Sequence, residues 1–232
     1  MEKYDAIVLA AGVGRRMAAT KNKVLLTLDD GRTIIEHTVM AFLEDSQCAR
    51  IVLVVQADDH SEITDIIANV EGNENIMLVI GGRERQDSVK IGLQELQNGA
   101  NIVMVHDGAR PFIQNETLER VFEKARETGA AIVGVPVKDT IKRVIEGAVV
   151  ETVERACLCQ AQTPQAFRLE LLKAAHKYAE EVAFLGTDEA SLVEQLGITV
   201  HVVKGSYQNI KITTPEDMVL AQAIVKQLKE ER

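Results

Sequence analysis

Apolar runs of strand length alternate with segments of helical spacing along most of the sequence, and this alternation restricts the fold more than any other feature. The five consecutive apolar residues at 51–55 are typical of a strand that is covered on both faces. Strands that alternate with helices predict an α/β fold with a largely parallel sheet and helices on both of its faces. We expect strands at residues 4–9, 50–56, 76–80, 102–105, 130–137, 199–203 and 209–212. We expect helices at residues 33–44, 58–68, 86–96, 115–127, 168–181, 188–195 and 215–229, with Asp58, Asn115 and Thr214 among their N-caps.

The alternation breaks at residues 139–154, where polar and apolar residues alternate around Glu146-Gly147 and predict an exposed β-hairpin. Two strands alone bury too little surface to be stable, so the hairpin must pack on something. A second copy of the chain is the simplest partner, which predicts a dimerisation arm at about residues 138–159; packing on its own domain is the alternative. The 232 residues, 46% of them apolar, otherwise suffice for a single domain spanning 1–232.

Composition narrows the possible partners. The net charge of −9, the 3% aromatic content and the absence of Trp disfavour nucleic acid and anionic membranes as ligands. The three cysteines, Cys48, Cys157 and Cys159, fit neither a disulfide framework nor a zinc site. The N-terminus has no cationic leader, and no apolar run reaches transmembrane length. We therefore expect a soluble cytoplasmic protein.

The end of the first predicted strand combines small residues with cations. The small residues are Ala10, Ala11, Gly12 and Gly14, and the cations are Arg15, Arg16, Lys21 and Lys23. Small residues let backbone N–H groups approach a ligand closely, and the cations supply charge for phosphate oxygens. The dinucleotide fingerprint would need a third glycine where Met17 stands, and the Gly-Lys-Ser/Thr of a P-loop is missing. The segment therefore predicts a different polyphosphate-binding loop, with a tight structural turn as the alternative.

Two later strands also end in loops that could bind a ligand. Gly82 and Ser88 lie where a glycine-rich segment leads into a helix, which favours anions or the polar edge of a base. Asp107 could hold Mg²⁺ or a ribose hydroxyl, and Arg110 could pair with a phosphate. The alternatives are an ordinary helix connection and an Asp–Arg salt bridge. Because ligands of such sheets bind beyond the carboxyl ends of the strands, we expect all of these loops at one site.

Polar residues near the hairpin could complete a neighbour's site. They are Thr140, Arg155 and Thr163, although such residues are usually only solvated. Lys211 stands between two isoleucines and would point away from the core, to solvent or a cleft. Neither a catalytic triad nor a motif of metal ligands is visible. The residues alone predict an enzyme of a nucleoside triphosphate or phosphorylated metabolite that acts by charge neutralisation and positioning.

Seven motifs resemble, in order and spacing, those of the 2-C-methyl-D-erythritol 4-phosphate cytidylyltransferase (IspD) family over nearly the whole chain. The motifs are residues 10–17 with Lys23, 81–88, 105–111, 136–143, 162–165, 186–191 and 209–211. The resemblance implies a Rossmann-like nucleotidyltransferase fold that dimerises through the arm. It also implies transfer of CMP from CTP to 2-C-methyl-D-erythritol 4-phosphate, with magnesium, to give 4-CDP-2-C-methyl-D-erythritol and pyrophosphate for isoprenoid precursors.

The same resemblance implies a role for each matching residue. The nucleotide would contact Ala10, Ala11, Gly12, Gly14, Gly82, Ser88 and Asp107. Arg16 and Lys23 would stabilise charge on the α-phosphate, while Arg155 and Lys211 would aim the attacking phosphate oxygen. The polyol phosphate would contact Asp107, Arg110, Thr140, Arg155, Thr163, Thr187 and Lys211, with Thr140, Arg155 and Thr163 supplied by the partner's arm. Asp107 could also touch the magnesium ion.

Three positions depart from the family's pattern, and two alternatives stay open. Leu9 and Asn22 stand where proline is common, and Arg83 stands where an acid is common. Ribitol 5-phosphate cytidylyltransferase shares the fold and a similar first loop, but residues 139–143 and 186–191 favour methylerythritol phosphate. A non-catalytic nucleotide-sensing module is the alternative from another class, and the presence of both Arg16 and Lys23 argues against it.

Overall fold

A computed structural model of the chain describes residues 2–12, 22–96 and 100–230. Nine strands lie in these ranges: β1 Tyr4–Leu9, β2 Cys48–Val55, β3 Ile76–Ile80, β4 Ile102–Asp107, β5 Ala130–Pro136, β6 Ile141–Ile145, β7 Ala148–Val153, β8 Cys159–Arg168 and β9 His201–Lys204. Seven of them form one sheet in the order β3-β2-β1-β4-β8-β5-β9, and β6 pairs with β7 in a sheet of two strands. The predicted α/β fold with a mostly parallel, mixed sheet is confirmed.

Helices cover the sheet at α1 Ile34–Leu43, α2 His60–Ile67, α3 Arg85–Gln94, α4 Asn115–Thr128, α5 Leu169–Glu181, α6 Glu189–Glu194 and α7 Pro215–Glu230. The predicted helices all occur, but two predicted caps were wrong by one residue. Asp59 rather than Asp58 is the N-cap of α2, and Gln114 rather than Asn115 precedes α4. Thr214 behaves as predicted, since its hydroxyl accepts a hydrogen bond from the Asp217 backbone N–H at 3.4 Å.

Both faces of the sheet are buried, as the apolar runs predicted. Along β1, Tyr4, Ala6 and Val8 pack into a cluster with α1, α2 and α4. Ile7 points to the opposite face and packs with residues of α3, α5 and α6. A strand with helices on both sides has no solvated face, which explains the continuous apolar runs.

Strand β8 was not predicted and is antiparallel to both of its neighbours, β4 and β5. Its sequence is rich in polar residues, yet Gln162, Thr163 and Gln165 are buried. Their side chains find partners far along the chain: Gln165 donates to Asp188 Oδ2 at 2.8 Å and accepts from the Ala190 N–H at 3.0 Å. Such partners exist only after folding, so local patterning carries no signal for this strand.

The predicted strand at residues 209–212 was wrong, because the segment is an irregular loop between β9 and α7. Buried Asn209 donates to the Thr163 carbonyl at 2.9 Å, and the Ile212 N–H donates to the Ala109 carbonyl at 2.9 Å. These bonds hold the loop against the end of β4 rather than in a ladder. Its lysine, Lys211, is thereby brought to the carboxyl edge of the sheet.

The predicted hairpin of β6 and β7 is confirmed. Glu146 and Gly147 form a two-residue turn with φ values of 50° and 80°, as a type I′ turn requires. Several apolar side chains of the two strands are exposed: Ile141, Val144, Ile145, Val149 and Val150. Within the described residues, no helix has the length and apolar character needed to cross a membrane.

Candidate active site

A cavity of about 450 Å³ lies at the carboxyl edge of the sheet, where β1, β2, β3 and β4 end. Its lining includes eight residues that the sequence singled out: Ala10, Ala11, Gly12, Lys23, Gly82, Ser88, Asp107 and Lys211. Lys23 and Lys211, which are far apart in the chain, therefore face one space. Gly14 and Arg16 lie outside the described residues.

The loop after β1 is fixed at its start by the sheet. The Ala10 N–H donates to the Val54 carbonyl of β2 at 2.7 Å. A Cβ added to Gly12 would meet no atom within 4 Å, so packing in the described structure leaves open space on that side. At its described start the loop therefore carries only small residues, Ala10, Ala11 and Gly12, beside the cavity, which lets a ligand approach the backbone there.

The loop after β3 needs its glycines because it packs tightly against the first loop and against α3. A Cβ on Gly81 would come within 2.8 Å of both Ala11 Cβ and Ser88 Oγ. A Cβ on Gly82 would collide with Asp87. The Ser88 hydroxyl accepts from the Gly82 N–H at 3.2 Å and donates to the Glu84 carbonyl at 3.2 Å. Ser88 thus shapes the loop that borders the cavity.

Asp107, at the end of β4, is the centre of a charge cluster. Its Oδ2 lies 2.9 Å from Lys211 Nζ and 3.4 Å from Arg110 Nε, and its Oδ1 lies 3.7 Å from Arg85 Nε. Burial alone would raise the pKa of the Asp107 carboxyl, but Lys211, Arg85 and Arg110 outweigh it and hold the pKa well below its usual range. One buried carboxylate therefore organises three cations, two of which, Arg85 and Lys211, line the cavity.

Arg85 is held by a second carboxylate, Glu189 at the start of α6. One guanidinium nitrogen of Arg85 lies 2.7 and 2.8 Å from the two oxygens of Glu189, which is fully buried. Burial raises the pKa of the Glu189 carboxyl, and the guanidinium opposes that rise. Sequence reasoning missed both residues, although both lie in segments that it singled out, because the pairing of residues 104 positions apart leaves no local pattern.

Thr163 does not lie on the arm as predicted, but inside β8, buried beside the end of β4. Its hydroxyl accepts from the Asp107 N–H at 3.0 Å and donates to Nδ1 of His106 at 3.1 Å. His106 Nε2 then donates to the Arg110 carbonyl at 3.1 Å, because a carbonyl can only accept. Burial lowers the pKa of His106 to about 4, so the imidazole in this row of hydrogen bonds is neutral. The Thr163 hydroxyl thus donates one hydrogen bond and accepts another within its own chain.

The remaining predicted residues lie away from the cavity lining. Thr140 and Arg155 are exposed at the base of the hairpin, and Arg155 donates to the Lys138 carbonyl at 2.6 Å. Thr187 is exposed just before Asp188, the N-cap of α6. The structure of one chain therefore brings together those predicted nucleotide residues that it describes, but leaves Thr140 and Arg155 apart from them.

A magnesium ion held at Asp107 would take further ligands from a bound phosphate. Within the described ranges, no three His, Cys, Asp or Glu side chains form a group that could hold a metal. Oδ2 of Asp107 lies 2.9 Å from Lys211 and 3.4 Å from Arg110, and Oδ1 lies at the longer distance of 3.7 Å from Arg85. Mg²⁺ in phosphate-transfer sites is typically held by one or two carboxylates together with phosphate oxygens.

Comparison with known proteins agrees with the geometry. The sequence pattern of the 2-C-methyl-D-erythritol 4-phosphate cytidylyltransferase (IspD) family matches residues 5–227. The chain belongs to this family. The Bacillus licheniformis cytidylyltransferase of that name is 49% identical over 223 residues, which cover 96% of each chain. The Bacillus velezensis protein is 47% identical over 225 residues, covering 97% of this chain and 96% of the relative.

Solved structures give the same result. A 4-diphosphocytidyl-2C-methyl-D-erythritol synthase from Anaerococcus prevotii matches with a TM-score of 0.85 and 33% identity over 97% of this chain and 96% of that one. The Thermus thermophilus cytidylyltransferase matches with a TM-score of 0.77 and 32% identity, over 97% and 100%. As a member of the IspD family, the chain is a nucleotidyltransferase, which agrees with a cavity that joins glycine loops to lysines at a sheet edge.

Proposed function

We propose that this protein transfers CMP from CTP to 2-C-methyl-D-erythritol 4-phosphate and releases pyrophosphate. An oxygen of the acceptor's phosphate attacks the α-phosphorus of CTP, forming a new P–O bond. The bond from the α-phosphorus to the oxygen bridging to the β-phosphate breaks, and pyrophosphate leaves with that electron pair. The observation that carries the proposal is that Lys23 and Lys211 line one cavity with the glycine loops.

The chemistry explains the charges. Two anions must approach each other, and negative charge builds up on the α-phosphate in the transition state. We assign Lys23 to the stabilisation of that charge, together with Arg16, whose role rests on its place in the sequence. Lys211, held 2.9 Å from Asp107, is assigned to orienting the acceptor phosphate. Ala10, Ala11, Gly12, Gly82 and Ser88 would surround the nucleotide.

Asp107 and Arg110 would orient the ribose or the acceptor. Asp107 would hold a magnesium ion bound with CTP, and that ion would supply positive charge to offset the phosphates. The chain's own residues thus bind the two reactants and orient them for the transfer.

We also propose that the protein is a homodimer joined through the arm at residues 138–159. The exposed apolar side chains of β6 and β7 support this, because a two-stranded hairpin is only marginally stable unless it packs on something. Thr140 and Arg155 would then reach the partner's cavity and bind the acceptor, with Thr187 at the same border. The three free cysteines support a reducing cytoplasm as the place of action.

Pyrophosphate release tests the proposal. The purified protein with magnesium would be given CTP and either methylerythritol phosphate or ribitol 5-phosphate, with UTP and ATP as controls. We expect release with CTP and methylerythritol phosphate. Release with ribitol 5-phosphate alone would assign the other cytidylyltransferase activity, and CTP binding without release would favour a nucleotide sensor.

A further inference from the structure

Asn22 stands directly before Lys23, and its side chain joins three separate segments. Its Nδ2 donates to the Ala10 carbonyl at 2.9 Å and to Asp59 Oδ2 at 2.7 Å. Its Oδ1 accepts from the Val24 N–H at 3.3 Å. The two donors and the acceptor of one amide thus connect the end of β1, the start of α2 and the turn that carries Lys23.

The backbone of the Lys23 turn is fixed from the other side as well. Lys23–Leu25 form one turn of 3₁₀ helix, in which the Leu25 N–H donates to the Asn22 carbonyl at 3.0 Å. Val24 and Leu25 are buried in the same core cluster as Ala10. The Cα of Lys23 is therefore placed by buried packing after it and by the Asn22 amide before it.

Asn22 itself does not line the cavity, whereas Lys23 and Ala10 do. A lysine side chain is long and flexible, so the place of its Cα decides which positions its ammonium group samples at low entropic cost. A group that fixes the Lys23 turn relative to Ala10 fixes the ammonium relative to the loop that would hold the phosphates. Gln56 supports the same loop one residue on, by donating to the Ala11 carbonyl at 2.6 Å.

We propose that Asn22 is a positioning residue for the transfer reaction: its amide holds the Lys23 turn at a set separation from the Ala10 loop. This inference rests on the proposed function, since it acts through the role assigned to Lys23. A carboxylate could not replace the amide, because it would place its charge against Asp59 and the Ala10 carbonyl.

The test compares Asn22→Ala with Asn69→Ala. Asn69 is a matched control: it is exposed, at the far end of α2, and its Nδ2 also donates to a backbone carbonyl, that of Asp65, at 2.7 Å. We expect kcat to fall by ~10-fold or more for Asn22→Ala, with a smaller change in the KM for CTP, because misplacing a catalytic group by ~1 Å can cost up to ~10²-fold. Asn69→Ala should keep the wild-type rate. Equal rates for both variants would overturn the proposal.

Two further measurements separate positioning from general damage to the fold. In a Lys23→Ala background, Asn22→Ala should cost less than ~2-fold more, because the group that it positions is already gone. The same fold-loss in both backgrounds would overturn the proposal. Asn22→Asp should be slower than Asn22→Ala, and adding Asp59→Asn should recover part of that difference.

The inference can fail independently of the proposed activity. If the wild-type protein releases no pyrophosphate from CTP and methylerythritol phosphate, the proposed function fails. Crystal structures of the wild type and Asn22→Ala then decide the positioning claim. A shift of Lys23 Cα relative to β1 by ~1 Å or more supports it, since such a displacement matters for catalysis; an unmoved Lys23 overturns it.

Discussion

The sheet edge and the hairpin hold their charged residues in different ways. At the edge, buried Asp107 fixes Lys211, Arg85 and Arg110 within one chain. On the hairpin, Arg155 is exposed and donates to the Lys138 carbonyl of its own arm. The edge is organised before any ligand arrives, whereas the arm offers apolar side chains and a cation to another molecule. On our proposal, one chain thus supplies the nucleotide residues and Lys211, and a second chain adds Thr140 and Arg155 to bind the acceptor.

The largest effect should come from the organised edge. We expect Lys23→Ala to lower turnover by ~10²–10³-fold, by analogy with the removal of one oxyanion-stabilising donor. Steady-state pyrophosphate release measures it, and Lys226→Ala, on the exposed side of α7, is the control that should keep the wild-type rate. Near-normal turnover would remove Lys23 from the assigned role.

The arm should show a different kinetic pattern. We expect Arg155→Ala to raise the KM for methylerythritol phosphate by ~10-fold or more while the affinity for CTP holds, because Arg155 is assigned to the acceptor alone. Calorimetric titration measures the affinity for CTP, and steady-state kinetics measure the KM for methylerythritol phosphate. An equal loss of CTP affinity would contradict the division between edge and arm.

Mixing the two variants sharpens this comparison. If each cavity uses its own Lys23 and the partner's arm, a mixed dimer of Lys23→Ala and Arg155→Ala contains one intact site and one site that lacks both groups. A one-to-one mixture that exchanges subunits should then recover about a quarter of the wild-type activity, since half of the dimers are mixed in a two-fold symmetric assembly. Activity no higher than that of the separate variants would show that both residues serve the cavity of their own chain.

A smaller effect is expected when the hairpin surface is changed without touching the site. Val149 is 61% exposed on β7, and Val149→Asp places a charge on the surface that we propose as the dimer contact. We expect the mean mass in solution to fall toward that of one chain, because charges are depleted from the centres of such contacts. The rate with methylerythritol phosphate should fall by less than for Arg155→Ala, because the remaining dimers keep both halves of the site. Val219→Asp, at an exposed position of α7, is the control. A dimer that persists would place the contact elsewhere.

The sequence predicted the apolar strands of the sheet but not the polar strand β8, which lies between β4 and β5. Runs such as that of β2 are apolar at every position because helices cover both faces, so their pattern survives in the sequence. Strand β8 is buried too, but its Gln162 and Gln165 are satisfied by side-chain and backbone partners from distant segments. Propensity therefore pointed away from a strand, and tertiary hydrogen bonds decided the outcome.

The residues of the candidate site also differ in how far the sequence could predict them. Glycine loops and lysines next to strand ends were predictable, because the carboxyl ends of parallel strands meet at one edge. The pairs of Arg85 with Glu189 and of Asn22 with Asp59 were not, since each joins residues that are distant in the chain. Thr163 resembled an arm residue from its position after the hairpin, but the fold draws it into the core beside Asp107.

The two regions also differ in their response to acid. Both buried histidines, His106 and His176, lie in the part of the chain that builds the main sheet and its helices, and the arm at 138–159 contains none. Burial lowers the pKa of each to about 4, below the value of about 6.5 for an unfolded histidine. Between these values the unfolded chain binds protons that the folded chain does not. The contribution of these two histidines to the free energy of unfolding is therefore fully present above about pH 6.5, and it is lost as the pH drops toward 4.

The smallest predicted effect isolates one of these histidines. Within the described residues, His176 Nε2 has no hydrogen-bond partner, whereas both nitrogens of His106 are bonded. His176→Leu should therefore change the free energy of unfolding at pH 7.5 by only about 1 kcal/mol. Between pH 7.5 and pH 5 the free energy of unfolding should also fall by about 2 kcal/mol less in this variant than in the wild type. That is the difference expected from one histidine whose pKa is lowered by folding. Urea unfolding at the two pH values measures both quantities, with exposed His201→Leu as the control. An unchanged pH dependence would mean that His176 takes up its proton as readily in the folded chain as in the unfolded one, and the acid response would then belong to the sheet edge alone.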